Sequence, residues 1–123
     1  MRIQFDQQME RLHVELIRMG SLCEEGIALS AKALQEKNPA FLQRIAAVEV
    51  EIDDKEREIE DLCMRLILQQ QPVARDLRFI SAAMKMISDM ERIGDQAADI
   101  ADLAPYIVEN NSQSKVHIGD MAL

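Results

Sequence analysis

The chain has no tryptophan, one tyrosine and three phenylalanines in 123 residues. A core built almost without rings must be aliphatic, and eight methionines among many Leu, Ile and Ala suit the irregular gaps between packed helices. Glycine (four) and proline (three) are scarce, which favours helices, as does a charged fraction of 29%. The two cysteines, Cys23 and Cys63, are far apart and form no CxxC, so they make neither a disulfide framework nor a zinc site. They read as buried thiols of a reducing compartment. No run approaches the ~18 apolar residues of a membrane span. No early basic-then-apolar segment precedes a cleavage site. The expectation is a cytoplasmic chain with no membrane insertion.

Positive charge is also short. The formal net charge is −8. An acidic surface gains nothing from approaching nucleic acid, whose phosphates must be neutralised by Lys and Arg. Free phosphate is repelled for the same reason, unless a bound cation mediates. Cations, or proteins with basic patches, are the partners this balance allows.

What is present is helical periodicity over at most one domain. Phe5, Met9, Leu12, Leu16, Met19, Cys23, Ile27 and Leu34 recur at three- and four-residue steps over residues 4–36. Asn38-Pro39 closes this helix and opens the next, with Asn38 as N-cap and Pro39 in the first turn. The second helix is predicted from Pro39 to Gln70, with Leu42, Ile45, Val48, Ile52, Ile59, Leu62 and Leu66 as its apolar row. Gln71-Pro72 ends it. A third helix is predicted from Val73 to Leu103 through Leu77, Ile80, Met84, Ile87, Met90, Ala97 and Ala101. Short connections force antiparallel neighbours, so the fold class is all-α: an up-down-up bundle of three long helices over residues 1–104. Residues 105–123 read as a polar linker followed by the opening of a second apolar segment.

Two stretches carry the chemistry: Glu56-Arg57-Glu58-Ile59-Glu60 and Glu91-Arg92-Ile93-Gly94-Asp95. Acids at i and i+4 share one helix face. On an ideal wheel Glu49, Asp53, Glu56 and Glu60 fall within about 60°, and Glu91, Asp95, Asp99 and Asp102 within about 80°, each arc bordering the apolar row. Carboxylates along one seam raise one another's pKa, and desolvation adds to this. A divalent or trivalent cation with a preference for oxygen ligands resolves the conflict. Glu56, Glu60, Glu91 and Asp95 are the candidate ligands, with Asp53 and Asp99 secondary. Gly94 removes a side chain beside Asp95 and allows a close approach. The competing reading is that these acids are a solvated helix face.

Glu10-Arg11-Leu12-His13 is half of the paired Glu-x-x-His signature of di-iron bundles. A carboxylate-bridged di-metal oxidase or ferroxidase is therefore an alternative, but the second half of the signature is missing. A purely structural helical dimerisation module is another alternative. No Ser-His-Asp set, glycine-rich phosphate loop or Cys-His pair is present.

Glu91-Arg92-Ile93-Gly94-Asp95-Gln96-Ala97-Ala98-Asp99-Ile100 resembles the helix signature of the PhoU family of phosphate-signalling regulators. Gln71-Pro72-Val73-Ala74-Arg75-Asp76-Leu77-Arg78 is similar to that family's QPxAxDLR segment. Asp53, Glu56, Glu60 and Cys63 fall where the family has its acidic helix and cysteine, and the likeness spans Phe5 to Leu103. The resemblance implies one all-α repeat of the usual two, and iron or another divalent or trivalent metal held by E/DxxxD pairs. Mapped here, these are Glu56 with Glu60, which departs by ending in Glu, and Glu91 with Asp95. It further implies a non-enzymatic negative regulator of phosphate uptake and of the phosphate-starvation response. Its partners would be the ATPase of a phosphate ABC transporter and a sensor histidine kinase. A lone repeat should expose an apolar face, so a homodimer is expected.

Overall fold

The computed structural model describes residues 3–36, 38–69 and 71–103 with their side chains. Among the described residues the secondary structure is three helices: α1 (Arg2–Gln35), α2 (Pro39–Gln70) and α3 (Ala74–Ala122). The helix end expected near Leu103 is not there: α3 carries on past it within its Ala74–Ala122 bounds, because nothing at Leu103 itself caps or breaks a helix. The linker and second segment expected over 105–123 fall where no side chain is described.

Each boundary within reach has a local cause. Asn38 is extended (φ −129°, ψ 112°) and its side-chain oxygen accepts from the Ala40 N–H at 3.0 Å, satisfying one orphan donor of α2. Pro39 follows in the first turn, where its missing N–H costs nothing. At the far end Gln71 takes the left-handed conformation (φ 44°, ψ 65°) and stops α2. Pro72 then keeps the chain from continuing the helix, and Asp76 sits in the first turn of α3, where the helix dipole favours an acid.

All three helices touch one another. The main core joins Leu12, Leu16, Met19 and Cys23 of α1, Val48, Ile52, Ile59, Leu62, Cys63 and Leu66 of α2, and Ile80, Ala83 and Ile87 of α3. Leu12, Met19, Ile59, Leu66 and Ile80 are fully buried; each contributes about 2 kcal/mol relative to an exposed position. A smaller cluster of Ala33, Ile45, Ala98 and Ala101 seals the end near the α1–α2 turn. Two members of the predicted apolar rows depart. Ile27 is half exposed, because the wheel carries it to the outer edge of the α1–α3 seam. Leu77 is exposed, because it lies five whole turns before Asp95 and so shares the outer lip of the seam with the acids.

The α1–α2 seam is zipped by charge. Arg11 pairs with Glu58, Lys55 with Glu58 and Glu15, Arg18 with Glu15, and Arg44 with Glu25 and Glu51. Among the described residues no ion pair crosses the α2–α3 seam.

Candidate metal centre

Gly94 of α3 lies against Ile52 of α2 across the seam. A Cβ built there would lie 2.9 Å from Ile52 Cδ1, so the bare glycine is what admits Ile52. With Ile52 against Gly94, the next residues of each helix, Asp53 and Asp95, come together on the outer lip of the seam. Glu91, one turn before Asp95, faces the same point. Carboxylate oxygens of Asp53, Glu91 and Asp95 all lie within 4.8 Å of one another, and all three residues are part-buried. Among the described residues this is the one group of three or more His, Cys, Asp or Glu side chains close enough to share an ion.

Glu49 and Glu56 flank the group. The Glu49 carboxyl is raised, first by burial and then by Asp95, which accepts a hydrogen bond from its protonated form; Asp53 and Asp99 add repulsion. Glu56 is raised by burial and then by the charges of Glu60, Asp53 and Asp95, against a small opposing effect of Arg57. Glu91 is pushed up to about 7, mainly by the adjacent Asp95 carboxylate and then by burial, with Glu56 and Asp53 adding to it. Among the described residues no cation forms an ion pair with Asp53, Glu91 or Asp95, and Arg57 offsets the charge only weakly at Glu56, which is the electrostatic condition a bound metal relieves. An all-carboxylate donor set suits a hard cation.

The antiparallel register decides which predicted ligands meet. Asp53, a secondary candidate from sequence, stands at the centre with Glu91 and Asp95. Glu56 borders them. Glu60 is exposed, a turn beyond the α3 acids, and Asp99 is exposed beside Glu49 at the opposite end. Glu49 lies on the acidic stripe but was not among the candidate ligands. Its signal was legible: Glu49-Val50-Glu51-Ile52-Asp53 has the same spacing and the same closing Asp as Glu91–Asp95.

Glu10 and His13 do not join this group. Both are exposed on α1, and the His13 ring packs on Phe79 of α3 with centroids 4.4 Å apart. The cysteines are buried thiols, as expected. Burial raises Cys23, whose Sγ donates to the Met90 carbonyl at 3.3 Å, and pushes Cys63 to about 11 with help from the Glu60 charge. Thiols held so far above neutrality carry little thiolate.

A three-helix bundle with an acidic α2–α3 lip defines a class of helical proteins that is recognisable by comparison. Residues 16–104 match the PhoU domain family. A Synechocystis protein named phosphate-specific transport system accessory protein PhoU homolog is 42% identical over 103 residues, covering 84% of this chain and 46% of its own length. A protein of the same name from Clostridium acetobutylicum is 44% identical over 98 residues, covering 79% and 45%. The crystal structure of PhoU from Pseudomonas aeruginosa superposes with a TM-score of 0.81 at 32% identity, covering 86% of this chain and 51% of that one. The chain belongs to the PhoU family. It spans about half the length of the curated relatives it matches.

Proposed function

We propose that this chain is a non-enzymatic regulator in phosphate homeostasis that acts by protein contact and carries a metal ion at the α2–α3 lip. The observation that carries the metal is the convergence of Asp53, Glu91 and Asp95 oxygens within 4.8 Å, with Glu49 and Glu56 close by and only Arg57 weakly opposing their charge. Those five carboxylates would hold iron or another divalent or trivalent ion. Bound there, the ion would turn a repulsive seam into a cross-link between α2 and α3 and supply a positive charge on an acidic surface.

The regulatory role is supported by the relatives, which are named accessory proteins of the phosphate-specific transport system. We take the chain to restrain phosphate uptake and starvation signalling in the cytoplasm, through the ATPase of the phosphate ABC transporter and a sensor histidine kinase. No helix among the described residues is long and apolar enough to cross a membrane. Val50, Met64 and Leu68 remain exposed along α2, which supports self-association into a homodimer.

Elemental analysis of the purified chain beside Asp53→Ala, Glu91→Ala and Asp95→Ala tests the site. Metal present in the parent and lost in all three supports it; equal content in all four proteins refutes it. Retention of the transporter ATPase on the immobilised chain tests the role.

A further inference from the structure

The cations of this chain are unevenly partnered. On α1 and α2, Arg11, Arg18, Arg44, Lys55 and Arg57 each reach a carboxylate; of the other described cations there, only Lys32 and Arg65 do not. On α3 none of Arg75, Arg78, Lys85 and Arg92 pairs with a described carboxylate, and all four are exposed. The full chain has 22 acids against 14 bases, so this is not for want of acids.

Arg78, Lys85 and Arg92 recur at a heptad spacing and therefore form one row along α3. Met86, Ile93 and Ile100 recur at the same spacing in a second row, about 80° around the helix. These three are 44%, 40% and 43% exposed, although apolar. Asp89 lies between the rows. Beyond the apolar row comes α1. The Cys23–Met90 hydrogen bond and the His13–Phe79 stack fix the register there, bringing Gly20 level with Met86 and half-exposed Ile27 level with Ile93. A Cβ at Gly20 would meet nothing within 4 Å, so the surface is open at that point.

An apolar heptad row whose open flank carries three cations against one acid, Asp89, is a surface a helix shows to another helix. Complementarity then specifies the visitor: an amphipathic helix with acidic residues beside its apolar row. A lipid surface fits less well. Membrane-bound helices immerse a broad apolar face, and the broad face of α3, with Ile80, Ile87 and Ala97, is spent on the core.

We propose that the outer face of α3 is a docking surface for an acidic amphipathic helix of a partner protein. The partner's apolar row would seat on Met86, Ile93 and Ile100, and its acids on Arg78, Lys85 and Arg92. This rests on the adaptor reading above and names the chemistry of the contact.

The test is fluorescence anisotropy with a labelled synthetic helix of about four heptads, Leu in the seam and Glu beside it. Its twin carries Lys for Glu, and vesicles of phosphatidylglycerol serve as the lipid arm. The Glu peptide binds, weakening with added salt, and Lys85→Glu with Arg92→Glu lowers its affinity about tenfold. Lys32→Glu, at a described cation of α1 that pairs with no described carboxylate, leaves binding unchanged. The proposal is overturned by equal binding of the Lys twin, by equal binding by the charge-reversed variant, or by vesicle binding stronger than peptide binding and lost in that variant. Sedimentation showing a dimer of this chain that excludes the peptide overturns it too. Retention of the transporter ATPase is measured in parallel. If the ATPase is held while the Glu peptide finds no site on α3, the docking face falls and the adaptor reading stands. If the peptide binds α3 while the ATPase is not held, the reading falls and the docking face stands.

Discussion

Gly94 of α3 lies against Ile52 of α2 so closely that an added Cβ would fall 2.9 Å from Ile52 Cδ1 and 3.5 Å from its Cγ2. This one contact ties packing to chemistry, because the residues that follow, Asp95 and Asp53, are the two acids that meet across the seam.

Gly94→Ala should therefore destabilise the bundle by about 1 kcal/mol: overpacking costs about 1–3 kcal/mol and better helix propensity returns about 1 kcal/mol. In an Ile52→Val background, where Cδ1 is gone, the same substitution should be neutral or stabilising. Urea unfolding of the four proteins in this cycle reads the coupling directly, and a coupling near zero would show that the contact is not felt.

The metal-free protein should lose stability as pH rises. Glu91 is pushed up to about 7 in the folded protein, against an ordinary carboxyl value of 4.5. The folded state thus holds more protons between those values, so stability falls as pH climbs from about 4.5 to about 7 and stays low above it. Glu49 and Glu56, also raised, act in the same direction. Thermal unfolding across this range checks the sign, and Glu91→Gln should flatten the profile. A metal ion at the lip should reverse the trend, adding about 2.7 kcal/mol at a hundredfold excess over its Kd.

Lys55 guards a buried acid. Glu15 is only 4% exposed, and Lys55 pairs with it while also reaching Glu58 at 3.1 Å. Lys55→Met leaves Glu15 with Arg18 alone, whose side chain is 64% exposed, and should cost about 3 kcal/mol. Adding Glu15→Gln removes the stranded charge and should recover much of that loss. Guanidinium unfolding of single and double variants measures both.

Gln71 holds a left-handed backbone at φ 44° without being glycine. Gln71→Gly should stabilise the chain by about 1 kcal/mol, because the side-chain clash of that conformation outweighs the extra freedom glycine brings to the unfolded state. A midpoint unchanged or lowered in denaturant would falsify this account of the turn.

Much of the fold was legible because its causes are local. The bounds of α2, the Asn38 cap, the stop at Gln71-Pro72 and the all-α class follow from spacing, capping chemistry and proline geometry, each contained within a few residues. The acidic stripes were legible for the same reason, since a helix wheel needs only one chain's numbering. What the linear order does not contain is the register between helices. Glu56–Glu60 and Glu49–Asp53 are equally good pairs along α2. In the packed bundle, with Ile52 lying at Gly94, Asp53 meets Glu91 and Asp95 and Glu60 is left exposed. That choice belongs to tertiary structure because sliding one helix past another by a turn preserves every local preference and changes only which side chains touch across the seam.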